Sequence, residues 1–227
     1  MSRYEQTSFV IARWVVHHLV FPLFMGLHVT GRETVPKDRP YIVAANHLSN
    51  LDVPILMAEM PSRPSIMAKD TLYNIPWLRW FWRWGDAVPV RRGGMDRAAL
   101  RAAEAKLAQG IPFGIFPEGT RSRTGVLGTG KPGAGMIALR SRVPVVPVAF
   151  TGTPDVFRGR RPHLRPRVTM TIGLAIPPEE IAAAGGSEAA TELMMSRIAA
   201  LLPPTMRGAY DKQEHDGAAL AREARGQ

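Results

Sequence analysis

Short apolar runs alternate with segments of helical period along most of this chain. Tyr41 to Ala45 is an apolar run of strand length that ends just before His47. Asn50 or Asp52 then stands where a helix cap belongs, with Pro54 in the first turn. Ser65 to Ala68 and Ala87 to Val90 read as short strands, with a helical aromatic segment from Ile75 to Arg83 between them. Met95 to Gln109 is the clearest amphipathic helix: Leu100, Ala103 and Leu107 share one face, and Gly110 stops it. Pro112 to Phe116 predicts a buried strand, Gly133 to Arg140 a short helix, and Val143 to Phe150 an apolar run that continues through two prolines. Arg167 to Ile172 alternates as a strand does, and Glu188 to Leu202 predicts a closing helix. Strands interleaved with helices predict an α/β fold, a mixed central sheet flanked by helices.

The two ends read differently. Phe9 to Val29 is apolar and aromatic, but Arg13, His17, His18 and His28 interrupt it, and Pro22 would kink a helix. A spanning helix needs roughly 20 predominantly apolar residues, so this stretch suits a helix lying in a membrane interface, with a helix packed on the core as the alternative. Arg3, Glu5 and the lack of a small-residue cleavage site argue against a signal peptide. From Pro203 the chain is polar, rich in Gly and Ala, and balanced in charge, which predicts a frayed tail.

Composition narrows the chemistry. At 227 residues and 45% hydrophobic content the chain is long enough for one domain with a substantial core. Without cysteine it has no disulfide, thiolate metal site or cysteine nucleophile. The net charge of +10 and a pI near 10.8 favour anionic partners. Arginine outnumbers lysine 24 to 5, which suits phosphate recognition by a planar fork and equally suits a GC-rich genome. Trp77, Trp80, Phe81, Trp82 and Trp84 alternate with Arg79 and Arg83, as residues at membrane interfaces do, and equally suit a core helix with aromatic packing. A run with Arg158, Arg160, Arg161, Arg165 and Arg167 and no acid could meet anionic headgroups or stand solvated.

Two segments carry the candidate chemistry. Asn46-His47-Leu48-Ser49-Asn50-Leu51-Asp52 places a histidine at a strand end and a carboxylate five positions on. A neutral imidazole there can take a proton from a hydroxyl, and Asp52 can reach its other ring nitrogen to fix the tautomer. No Gly-x-Ser-x-Gly elbow is present, and Ser49 reads as a turn residue. A base with no protein nucleophile suggests direct attack by a substrate alcohol. The second segment, Phe116-Pro117-Glu118-Gly119-Thr120-Arg121-Ser122, follows a buried strand and should emerge at the same sheet edge. Gly119 lets backbone amides approach an anion, Thr120 adds a hydroxyl, and Arg121 can clamp a phosphate. Glu118 could orient Arg121 or bond a glycerol hydroxyl.

The pair resembles the two signature motifs of the glycerophosphate and lysophosphatidate acyltransferase family. Gly85 to Arg92 resembles the motif between them, with Arg91 the better-placed arginine and Arg92 beside it. Val143 to Val148 resembles the fourth motif, and Lys131, Gly133 and Gly135 match residues that follow the Glu-Gly-Thr segment. Lys69 stands where the family often has a basic residue. The likeness runs from about residue 40 to residue 152. It implies transfer of a fatty acyl chain from acyl-CoA or acyl carrier protein to 1-acylglycerol-3-phosphate (lysophosphatidic acid), giving phosphatidic acid, without cofactor or metal. His47 and Asp52 would be catalytic; Glu118, Gly119, Thr120, Arg121, Arg91 and Lys131 would bind substrate. The expected organisation is a membrane-associating helical segment over 1–30, an acyltransferase domain over 31–203, and a disordered tail over 204–227. The expected location is the cytoplasmic side of the cell membrane, as a peripheral or monotopic protein on anionic lipid.

Other readings stay open. The acceptor could be a different lysolipid, such as a lyso-ornithine lipid or a lysophospholipid with a larger headgroup. A catalytically silent lipid-binding module would not need His47, Asp52, Glu118 and Arg121 together. The charge also suggests nucleic acid, but no helix-turn-helix, zinc or RNA-binding signature supports such a partner.

Overall fold

In a computed structural model, which describes residues 11, 13–69, 88–90, 97–158 and 165–211, the apolar runs become seven strands. These are β1 (Gly26–Thr30), β2 (Ile42–Ala45), β3 (Ser65–Lys69), β4 (Val88–Val90), β5 (Phe113–Ile115), β6 (Val145–Thr151) and β7 (Arg167–Ile172). The helices are α1 (Phe21–Phe24), α2 (Asp52–Glu59), α3 (Arg97–Ala108), α4 (Pro132–Ser141), α5 (Asp155–Arg158), α6 (Pro178–Ala183) and α7 (Ser187–Ala200). The expected aromatic helix over 75–83, with its tryptophans, lies outside the described residues, as do Arg91, Arg92, Arg160 and Arg161.

The strands form one mixed sheet in the order β1-β7-β6-β2-β5-β3-β4. β6, β2, β5, β3 and β4 run parallel, β7 is antiparallel to β6, and β1 is parallel to β7. β2 and β5 are direct neighbours, with Ile42 opposite Phe113. Their carboxyl ends therefore open at one edge, the place where parallel sheets carry ligand-binding loops.

Period-two alternation sorts side chains to the two faces. Ile42 and Ala44 join Phe113, Ile115 and helices α3, α4, α6 and α7 in one core. Tyr41, Val43 and Ala45 join α1 and α2 in the other. The predicted stripe on α3 is buried as expected: Leu100, Ala103 and Leu107 are at most 8% exposed. Pro147 sits inside β6, where a missing N–H would ordinarily break the ladder. It falls at the end of the antiparallel pairing, where its carbonyl accepts the Gly173 N–H at 2.9 Å and no donor is required.

Two boundaries move. The apolar N-terminal stretch does not continue to residue 30 as helix. A π-helical turn over Val16–Val20 runs into α1, with Pro22 in that first helical turn rather than at a kink, and Gly26–Thr30 is strand β1. Pairing with β7 decides this, through a register from Gly26–Arg167 to Thr30–Thr171. Residues 203–211, expected as the start of a frayed tail, are folded, and 212–227 lie outside the described residues. Pro204–Met206 and Gly208–Tyr210 form 3-10 turns that return to the core: Met206 O accepts the Leu127 N–H at 2.8 Å, and Tyr210 is 4% exposed. One buried aromatic ring outweighs the polar composition around it.

Candidate active site

β2 delivers His47 to the edge, and Asn46 anchors the delivery. The buried Asn46 amide donates to Phe150 O at 3.1 Å and accepts the Phe150 N–H at 2.7 Å. It thus continues the β2–β6 ladder by one side chain after the backbone has turned away. His47 is then gripped by both of its backbone groups. Its N–H donates to Glu118 Oε1 at 2.9 Å, and its carbonyl accepts the Ser122 N–H at 2.7 Å. The two motifs are therefore joined directly.

The imidazole is oriented from two directions. Nδ1–H donates to Asp52 Oδ2 at 2.9 Å, and the Phe116 ring stacks on it with centroids 4.2 Å apart. Asp52 is fully buried, and the same Oδ2 accepts the N–H groups of Leu48 at 2.6 Å and Ser49 at 2.7 Å. Three donors thus converge on one oxygen. Asp52 is thus not a forward helix cap, although it opens α2; its side chain reaches back over the turn before it. Ser49 behaves as the turn residue expected, its Oγ accepting the Leu51 N–H at 3.3 Å. With Nδ1 engaged, Nε2 keeps its lone pair and can take a proton.

Glu118 is buried and divides its carboxylate between two loops: Oε1 takes the His47 N–H and Oε2 the Gly128 N–H at 3.0 Å. Burial pushes its pKa up, against the pull of those two amides. The Arg121 guanidinium is not among its partners. Beyond Glu118 the chain turns through Gly119, at φ +67°, into an exposed rim of Gly119, Thr120 and Arg121. Lys131 closes the rim. Its N–H donates to Pro117 O at 2.8 Å, and its Cδ, Cε and Nζ lie 3.0 Å from where a Gly119 Cβ would stand. Arg121 precedes the residue bonded to the His47 carbonyl, so a base and two cations share one edge. Such a rim can hold a phosphate beside a hydroxyl.

Of the site residues expected from sequence, His47, Asp52, Glu118, Gly119, Thr120, Arg121 and Lys131 come together, and Arg91 lies outside the described residues. Sequence reasoning missed Asn46, Phe116, Ser122 and Gly128 as parts of the framework. An aromatic residue closing the strand before Pro117 was the available signal for Phe116; the others act through backbone contacts that leave no local pattern. Among the described residues no group of three or more His, Asp or Glu could hold a metal ion. Among them, too, no helix is long and apolar enough to cross a membrane.

A histidine held at one nitrogen stands beside a cationic rim on the carboxyl edge of a mixed sheet, where a base and an anion-binding group can work together. A family profile described as Acyltransferase matches residues 26–151, and the chain belongs to that family. It is 30% identical over 201 residues to a 1-acyl-sn-glycerol-3-phosphate acyltransferase of Chlamydomonas reinhardtii, covering 85% of this chain and 58% of the relative. It is 32% identical over 163 residues to the enzyme of that name from Saccharomyces cerevisiae, covering 67% and 52%. The fold is similar to the crystal structure of the 1-acyl-sn-glycerophosphate (LPA) acyltransferase PlsC from Thermotoga maritima, with a TM-score of 0.72 and 29% identity over 92% of this chain and 81% of that one. The chain spans about half the length of the two relatives above.

Proposed function

We propose that this protein transfers a fatty acyl chain from acyl-CoA or acyl carrier protein to the free hydroxyl of 1-acylglycerol-3-phosphate, giving phosphatidic acid. One observation carries the reading: the His47 ring is fastened at Nδ1 by the buried Asp52, beside the exposed Arg121. Arg121 and Lys131 hold the acceptor phosphate. His47 Nε2 removes the hydroxyl proton as the acceptor oxygen attacks the thioester carbonyl carbon. The imidazolium is stabilised by Asp52. The tetrahedral oxyanion collapses, the C–S bond breaks, and the departing thiolate takes the proton back from Nε2. The products are an ester and a thiol, and His47 returns neutral.

The acceptor is an amphiphile, so the enzyme works at a bilayer surface. Ile11, Trp14, Leu19, Leu23 and Phe24 are all more than half exposed, which supports an N-terminal segment that dips into anionic lipid as a peripheral or monotopic anchor. The side we assign is the cytoplasmic face of the cell membrane.

The test is purified protein with labelled acyl-CoA or acyl carrier protein and, separately, lysophosphatidate, monoacylglycerol and a lysophospholipid with a larger headgroup. Label should enter phosphatidic acid, and His47→Ala should abolish it. Preferential labelling of another lysolipid would replace the acceptor assignment. Equal use of monoacylglycerol would remove the phosphate from it.

A further inference from the structure

Lys131 is held in place by a residue beyond the family-matched span. Thr191 lies on α7, 1% exposed, and its hydroxyl reaches into the first turn of α4. Oγ1 accepts the Gly135 N–H at 3.0 Å and stands 3.3 Å from Lys131 O and 2.8 Å from Ser187 O. In a regular helix the Gly135 N–H would bond Lys131 O, four residues earlier. Here a hydroxyl is inserted between them, and its single proton is shared by the Lys131 and Ser187 carbonyls. Lys131 O instead takes the Ala134 N–H at 3.1 Å.

Glycine on both sides permits this approach. A Cβ on Gly135 would meet Ser187 O at 2.0 Å and Thr191 Oγ1 at 2.8 Å; one on Gly130 would meet Thr191 Cγ2 at 2.4 Å. The Thr191 hydroxyl thus grips the chain four residues after Lys131, and its methyl group grips the residue before. The Lys131 N–H is tied to Pro117 O, and its amine lies over Gly119. Movement of the Lys131 backbone would carry the ammonium off the rim.

We infer that Thr191 is a positioning residue: through the Gly135–Thr191–Lys131 bridge it sets the Lys131 ammonium against the acceptor phosphate. The inference rests on the acceptor reading given above. Thr191 itself touches no substrate.

The experiment compares Thr191→Val, which keeps the branched shape and the Cγ2 methyl but replaces the hydroxyl by a second methyl, with Thr191→Ser, which keeps the hydroxyl, each with and without Lys131→Met. Thr191→Val should raise the lysophosphatidate KM roughly 3- to 10-fold, the range expected for one lost hydrogen bond. The acyl-CoA KM and kcat should stay near wild type, and Thr191→Ser should restore most of the loss. On Lys131→Met, Thr191→Val should add little, because both act on one contact. A defect additive with Lys131→Met, equal on donor and acceptor, or shared by Thr191→Ser would overturn the inference and leave only helix packing. Wild-type protein inactive on lysophosphatidate would sink the acceptor reading instead. Thr191 is then judged without turnover, from the Lys131 ε-methylene NMR resonance, identified by its loss in Lys131→Met. That resonance should move in Thr191→Val and not in Thr191→Ser; an unmoved resonance overturns the inference.

Discussion

Helix α2 has a histidine–carboxylate pair at each end, and the two do different work. At its start His47 Nδ1 meets Asp52 at 2.9 Å; at its end His17 Nδ1 meets Glu59 at 2.7 Å. Both carboxylates are buried, and both rings are partly open to solvent. The surroundings separate them. Asp52 takes two backbone N–H groups besides the histidine and, among the described residues, pairs with no Lys or Arg, so the ring is its one ionisable partner there. Glu59 also pairs with Arg32, and Arg13 stands close by, donating to Met60 O at 3.3 Å. There the charge is already matched, and burial, then Arg32, then Arg13 hold the His17 pKa below its ordinary value. Geometry between two residues does not make a base; the balance of charge around them does. The first pair orients a histidine at the carboxyl edge of the sheet, while the second fastens the N-terminal helical segment to the domain, about 10 Å away along the same helix.

Mutation of the first pair should have the largest effect. His47→Ala should reduce turnover at least roughly 10²–10⁴-fold, the range for a lost general base, with the melting temperature little changed. Asp52→Asn should come close, because the imidazolium loses its counter-charge. Steady-state rates across pH on folded protein decide this; an Asp52→Asn enzyme indistinguishable from wild type would reduce Asp52 to a turn residue.

Glu118→Gln should come next. An amide oxygen can serve only one of the His47 and Gly128 N–H groups, and the NH₂ must then face the other. We expect a fall in kcat together with about 1–3 kcal/mol of lost stability, the cost of an unsatisfied buried donor. Urea melts beside kinetics are the check. A rise confined to acceptor KM at full stability would make Glu118 a substrate ligand, the alternative that sequence suggested.

The second pair should respond in the opposite sense. Glu59→Gln should cost about 1–3 kcal/mol, discounted for the partial exposure of Arg32 and His17. It should weaken binding to anionic vesicles while leaving turnover of detergent-dispersed substrate largely intact. Loss of detergent turnover comparable to that of His47→Ala would show that the two ends of α2 are coupled.

The smallest effect is a matter of pH. Because the folded state holds His17 below its ordinary pKa, the unfolded chain binds that proton more tightly. The contribution is complete above about pH 6.5 and is lost as pH falls through the depressed folded value. Wild type should therefore lose stability relative to His17→Gln between about pH 7 and pH 5. A pH-independent difference in urea melts would mean that His17 does not titrate against the two arginines.

What could be read from sequence follows how far apart the interacting residues lie along the chain. The His47–Asp52 contact spans five residues, the α3 stripe repeats within a few turns, and the β2 faces alternate at every position. Backbone period and one short turn decide these, so composition and spacing were enough. Glu118 meets the His47 amide 71 residues away, Asn46 meets Phe150 across 104, His17 meets Glu59 across 42, and Thr191 reaches Lys131 across 60. No local pattern marks such partners, because a buried polar group is satisfied by whatever donor the packed chain brings to it. The same reason moved the ends of the domain. Apolar Gly26–Thr30 became a strand only because β7 offered an edge, and the polar segment around Tyr210 is packed because its ring found the core. The sequence alone determined the His47–Asp52 spacing, the Glu118–Arg121 segment and the alternation of strands and helices. Only the tertiary structure decided that Asp52 meets two backbone amides while Glu59 meets an arginine, because those partners are brought in by packing.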